Sequence, residues 1–124
     1  HLDKAQTLLE KLPDEAQNDP KGKELAGVIF FSAVIAEADD IQNLQETLAK
    51  DPNNAKALHH LAAFLMLNGQ VENALQTLFK LFTVNRSYED GLPQKSILKA
   101  LEMLTDKAPE LVTVYRRRFQ SLLF

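Results

Sequence analysis

Between Ala55 and Arg86 the chain spaces its apolar and small residues in a way that few folds can use. Leu58, the pair Leu61-Ala62, and Leu65 recur at helical intervals and so line one face of a helix. Gly69, within Asn68-Gly69-Gln70, can take the left-handed conformation that ends such a helix. Ala74 is small enough for a returning helix to approach the first closely, and Leu78 closes the contact. The stretch therefore reads as two antiparallel helices joined by a tight turn. One such pair cannot bury its whole apolar surface alone, so the unit predicts a stack of similar pairs.

The order of slots is that of a tetratricopeptide repeat, a unit of about 34 residues. Its proline slot holds Arg86 instead. Counting back one period sets Phe31, Leu44 and Pro52 in matching slots. Glu24 and Gly27 do not match, and Ile35 stands where the turn glycine belongs. Residues 21–54 thus read as a degenerate repeat and residues 55–88 as a clear one, with Asp51-Pro52-Asn53-Asn54 handing one over to the next.

The flanks follow the same period. Leu2, Ala5, Leu8, Leu9 and Leu12 predict a short amphipathic helix stopped by Pro13, and Asp14 to Gly22 a polar connection with a turn at Asn18-Asp19-Pro20. Residues 1–20 are this N-terminal helix and connection. Leu25 to Ala38 is apolar nearly all round over Leu25–Phe31, which fits a buried helix, with a buried strand as the alternative. Ala38-Asp39-Asp40 caps a helix bearing Ile41, Leu44, Leu48 and Ala49. Ser87 to Pro93 is an insertion that shifts the register. Ile97, Ala100, Leu101 and Leu104 then repeat the first-helix spacing, and Pro109 opens a last helix carrying Leu111, Tyr115, Phe119 and Leu122, so residues 92–124 form a terminal pair. The expectation is an all-α, tetratricopeptide-like, right-handed stack of antiparallel helix pairs, about seven helices in a single domain of residues 1–124.

At 124 residues the chain can bury one core. A net charge of −3 gives no electrostatic case for nucleic acid or an anionic membrane, and the absence of cysteine removes disulfides and thiol chemistry. The apolar run between Glu24 and Glu37 is shorter than the roughly 18 residues of a membrane span. The first residue is His1 and no signal peptide precedes the first helix, which suggests a fragment whose natural N-terminus lies upstream.

Candidate chemistry is thin. His59 and His60 are adjacent, so on a helix they point about 100° apart and cannot grip one metal ion. Surface or groove-lining histidines are the plainer reading. Asp51-Pro52-Asn53-Asn54 resembles the start of a calcium loop, but Lys56 and Ala62 stand where its glycine and closing glutamate belong. Glu37, Asp39 and Asp40 cluster at a helix junction, where capping and solvation account for them. With no phosphate loop and no nucleophile–base arrangement, the expectation is a non-enzyme with no cofactor and no metal.

Binding surface is the better prospect. The residues flanking the stripe of the first repeat helix, expected to line a concave groove, are Lys56, His59, Ala63, Met66 and Leu67, with Met66 and Leu67 packed under a neighbouring helix as the alternative. In tetratricopeptide repeats that clamp a C-terminal carboxylate, a lysine and an asparagine occupy the slots held here by His59 and Ala63, so that clamp is absent. The second surface is the ending Tyr115-Arg116-Arg117-Arg118-Phe119-Gln120-Ser121-Leu122-Leu123-Phe124. Leu111, Tyr115, Phe119 and Leu122 fall within about 80° on a helical wheel and suffice to seat a capping helix. Arg116, Arg117, Leu123 and Phe124 are then left over as candidate protein-binding residues.

Asp51-Pro52-Asn53-Asn54, the Leu61-Ala62…Gly69…Ala74-Leu75 unit, Tyr88-Glu89-Asp90-Gly91 and the Tyr115-Arg116-Arg117-Arg118…Leu122-Leu123-Phe124 ending together define a more specific pattern. It resembles the C-terminal tetratricopeptide region of bacterial thioredoxin-like co-chaperones, the chaperedoxins, over essentially the whole chain. The resemblance implies a thioredoxin-fold domain upstream, absent from this sequence, and a cytoplasmic protein that holds unfolding clients and cooperates with the chaperonin and the Hsp70 system. The alternative is the substrate-selecting accessory domain of a thioredoxin-type protein-disulfide oxidoreductase. An intact or broken C-x-x-C before His1 would distinguish the two.

Overall fold

Apolar residues at intervals of three and four, interrupted by local stop signals, produce six α-helices in the computed structural model, which describes residues 20–123. They are α1 (Pro20–Ala36), α2 (Ile41–Lys50), α3 (Ala55–Leu67), α4 (Val71–Val84), α5 (Leu92–Leu104) and α6 (Pro109–Leu123). Among the described residues there is no strand, so the chain is all-α as expected. The helix expected over Leu2–Leu12 lies outside the described residues.

The helix boundaries are set by identifiable chemistry. Asp40 caps α2, its carboxylate accepting from the Asn43 backbone N–H at 2.8 Å. Asn54 caps α3 in the same way, accepting from Ala57 N–H at 2.9 Å. At the other end of α3, Gly69 takes φ +83°, the Gln70 N–H donates to the Leu65 carbonyl at 2.9 Å, and the Gly69 N–H donates to Met66 at 3.3 Å. That pairing is a Schellman motif, which satisfies carbonyls the helix would otherwise leave open. Pro109 opens α6, where its missing N–H has no intrahelical partner to lose.

Two boundaries differ from the sequence reading for one reason. The sequence pattern places Pro20 in a turn and Pro93 in an insertion, yet each sits in the first turn of a helix, α1 and α5 respectively. Proline's fixed φ suits that position. α1 is thus a helix of 17 residues, not a strand, and it is not buried all round, since Leu25 is 43% exposed.

The described residues divide into two compact units, residues 31–97 and residues 20–30 with 98–123. In the first, α3 packs on both α2 and α4. Ala62, Ala63 and Ala74 are fully enclosed, and these small residues let helices approach closely enough for Leu75, Leu78 and Phe82 to be sealed as well. Leu61 and Leu65 are only half-buried, because the interior face of α3 is centred nearer Ala62 and Met66 than the leucine spacing suggests.

In the second unit a glycine that fits no repeat slot has a packing role. A Cβ at Gly27 would stand 2.7 Å from the Met103 Cβ and 2.8 Å from its sulfur, so α1 and α5 meet there at a distance only glycine permits. Ala100, Leu101 and Leu104 of α5 and Val112, Tyr115 and Phe119 of α6 are also buried. Lys107 and Glu24 form an ion pair of 2.6 Å at the surface, where such pairs contribute little.

Candidate functional site

α3 is the helix on which both histidines and the expected groove residues lie. Seven of its thirteen residues are buried, and they run around most of its circumference: Ala57, Leu58, His59, His60, Ala62, Ala63 and Met66. Polar groups at such positions require partners. His59 has one in Ser96, itself fully buried in the first turns of α5, and Nε2 and the Ser96 Oγ share a hydrogen bond of 2.8 Å. Burial first, and the neighbouring His60 second, depress the His59 pKa from 6.5 to about 4, so the ring is neutral near pH 7.

The insertion between α4 and α5 completes this cluster. Glu89, Asp90 and Gly91 all adopt positive φ (48°, 58° and 89°), a left-handed run that costs about 1–2 kcal/mol per non-glycine residue. The run is tied by Asp90 N–H to the Ser87 carbonyl at 3.1 Å and Leu92 N–H to the Tyr88 carbonyl at 3.0 Å. Its effect is to bring the Tyr88 ring edge-on to His59, with centroids 6.2 Å apart. Nearby, the Arg86 guanidinium lies 4.5 Å over the Phe82 ring. The residue in the vacant proline slot thus covers the end of α4.

These positions correct the expected groove. Lys56 is exposed, but His59, Ala63 and Met66 are enclosed, at 3% exposure for His59. The physical reason is that α3 is flanked by α2 and α4 and meets Ser96 of α5, leaving no open face at those three residues. His60, expected at the surface or lining the groove, is 7% exposed. The sequence reading missed where His60 faces, which is a cleft shared with Glu37, Asp39 and Thr47. A signal was present: α2 has one N-cap, Asp40, so Glu37 and Asp39 were carboxylates without a capping role.

The second expected surface is the outer side of α6. This helix buries Val112, Tyr115 and Phe119, while Leu111 is half-buried and Leu122 lies at the exposed margin. Its seat is therefore turned slightly from the expected one, with Val112 taking the place assigned to Leu111 and Leu122. Arg116, Arg117 and Leu123 are all exposed, Leu123 at 42%, and Val114 adds a further exposed apolar side chain. Arg118 stacks its guanidinium 5.0 Å over Tyr115. Phe124 lies outside the described residues.

Among the described residues no three His, Asp or Glu side chains are grouped to hold a metal ion, and no helix is long and apolar enough to cross a membrane. Comparison with curated proteins and with solved structures gives no match. A family profile described as tetratricopeptide repeat matches residues 35–124. That match spans α2 through α6, including the capped α3–α4 hairpin, its turn glycine and its enclosed alanines. Repeats of this kind stack helix pairs into protein-binding scaffolds. The chain belongs to the tetratricopeptide-repeat family.

Proposed function

We propose that this chain is the non-catalytic interaction module of a bacterial, cytoplasmic, thioredoxin-like co-chaperone, which binds the chaperonin or Hsp70 system and non-native clients. The specific resemblance carried by Tyr88-Glu89-Asp90-Gly91 and the Tyr115-Arg116-Arg117-Arg118 ending names these partners. The observation that carries the reading is the surface of α6. Three residues seat the helix, leaving Val114, Arg116, Arg117 and Leu123 exposed, with Arg116 and Leu123 two turns apart on one side of the helix. Arginine beside apolar side chains is a composition that anchors protein interfaces. With His59, Ala63 and Met66 enclosed, docking falls to α6 rather than to the face of α3.

The test separates docking from folding. Leu123 and Phe124 are replaced by serine in one variant, and Arg116 and Arg117 by glutamate in another. Melting temperature and chaperonin pull-down are measured on the same samples. The expected result is loss of pull-down with an unchanged melting temperature. Retention of pull-down by both folded variants, or loss only as the domain melts, would make α6 a capping helix and nothing more.

A further inference from the structure

Within the unit Phe31–Ile97 a cleft of about 130 Å³ opens between the α1–α2 junction, α2 and the start of α3. Glu37 and Asp39 line it from the junction, Leu44 and Thr47 from α2, and Lys56, Ala57 and His60 from α3. It is smaller than the roughly 300–1,000 Å³ of pockets that hold whole small molecules. It has room for the end of one side chain.

His60 is the group that marks it as more than a gap between helices. More than nine-tenths of this residue is buried, yet its ring makes no hydrogen bond to any described residue. Among the described residues no buried side-chain nitrogen or oxygen lacks a partner, so the unbonded ring nitrogens of His60 are open to solvent, and the cleft is the opening that this residue lines. The carboxylates beside it are not occupied by capping, which Asp40 performs alone for α2. Asn54, also at the rim, is already committed as the N-cap of α3.

Charge decides what fits. Glu37 and Asp39 contribute two negative charges and Lys56 one positive, so an anion is disfavoured and a cation is drawn in. Burial and the Lys56 charge lower the His60 pKa, outweighing Glu37 and Asp39, so the imidazole is neutral near pH 7 and has a lone pair to accept a hydrogen bond. Leu44 and Ala57 provide apolar walls suited to methylene groups. A cation on an aliphatic stem, planar enough to reach a carboxylate and an imidazole at once, is an arginine side chain.

We propose that this cleft is a binding site for a single arginine side chain of a partner polypeptide, with its guanidinium held by Glu37, Asp39 and His60 and its stem against Leu44 and Ala57. Lys56 at the rim competes with the incoming charge and weakens its binding. The site uses no residue of α6 and stands whether or not α6 docks a chaperone.

Nuclear magnetic resonance titration of the 124-residue chain tests it, with the blocked tripeptide Gly-Arg-Gly as probe and its citrulline counterpart as the neutral isostere. Saturable shifts confined to Glu37, Asp39, Thr47, Lys56 and His60 are expected with arginine and not with citrulline. Glu37→Gln with Asp39→Asn, both exposed positions, should weaken binding about tenfold or more, as expected for lost charge-assisted hydrogen bonds, with an unchanged circular dichroism spectrum. Lys56→Ala should strengthen it severalfold. Equal shifts with citrulline, binding undiminished in the double variant, or weaker binding in Lys56→Ala each overturn the proposal. Methylguanidinium binding as tightly as the tripeptide would overturn the assignment to a polypeptide.

Discussion

α3 and α6 are similar in length but are used in opposite ways. α3 buries seven of thirteen residues, including two histidines, whereas α6 buries three of fifteen. α3 is flanked within its unit by α2 and α4 and has caps at both ends, so substitutions along it act on the fold. α6 rests on one narrow face and carries arginines and leucines outward, so changes there act on whatever it meets. The difference teaches that an apolar residue count does not identify a binding surface in a helical repeat. What matters is how many neighbours a helix has.

The largest effect expected from this contrast is at the α3–α4 contact. Leu78→Ala removes a fully enclosed side chain and should cost about 2–5 kcal/mol, read as a lowered denaturation midpoint. A loss under about 1 kcal/mol there would show that this interior tolerates truncation and that α3 is not its centre.

Acid should act next, and again through α3. His59 is held neutral with a pKa of about 4 against 6.5 when unfolded. The unfolded chain therefore binds the extra proton first, and stability is lost as pH falls from 6.5 toward 4. The loss reaches up to about 3 kcal/mol for a full proton-binding difference across that window. His60 is shifted in the same direction, with burial first and the Lys56 charge second lowering its pKa and Glu37 and Asp39 opposing, and adds to the same slope. Urea titrations at successive pH values should show it, and a steep part that persists in folded His59→Leu would assign the effect elsewhere.

In the other unit, Gly27→Ala is the sharpest probe. Overpacking typically costs about 1–3 kcal/mol, while alanine's better helix propensity returns up to about 1, leaving a net loss of about 1 kcal/mol. Met103→Ala should not rescue it, because the Cβ at 2.7 Å remains. Rescue by Met103→Ala would place the conflict at the flexible sulfur instead.

The smallest stability effects belong to α6. Arg116→Glu, Arg117→Glu and Leu123→Ser lie at exposed positions and should each stay within about 0.5 kcal/mol of the parent. The thermal melts of the pull-down samples check this directly. A large loss would mean that these side chains support the fold, and the contrast with α3 would collapse.

The sequence alone determined what is local. Helical period, the caps at Asp40 and Asn54, the turn at Gly69 and the opening of α6 at Pro109 each depend on residues within a few positions of one another, so they could be read without a third dimension. The all-α class followed, because no segment of the chain offered an alternating pattern. What the tertiary structure decided was which side of each helix is inside. His59 is enclosed by Ser96, 37 residues away, and by a Tyr88 aimed by a left-handed loop, a convergence that no periodicity along α3 announces. Gly27 is explained only by Met103, and the cleft at His60 only by the carboxylates left over from the cap of α2. Burial depends on neighbours brought from distant parts of the chain, whereas helix formation depends on neighbours in sequence. For that reason the elements were legible while the interior, and with it the surface that remains for binding, was not.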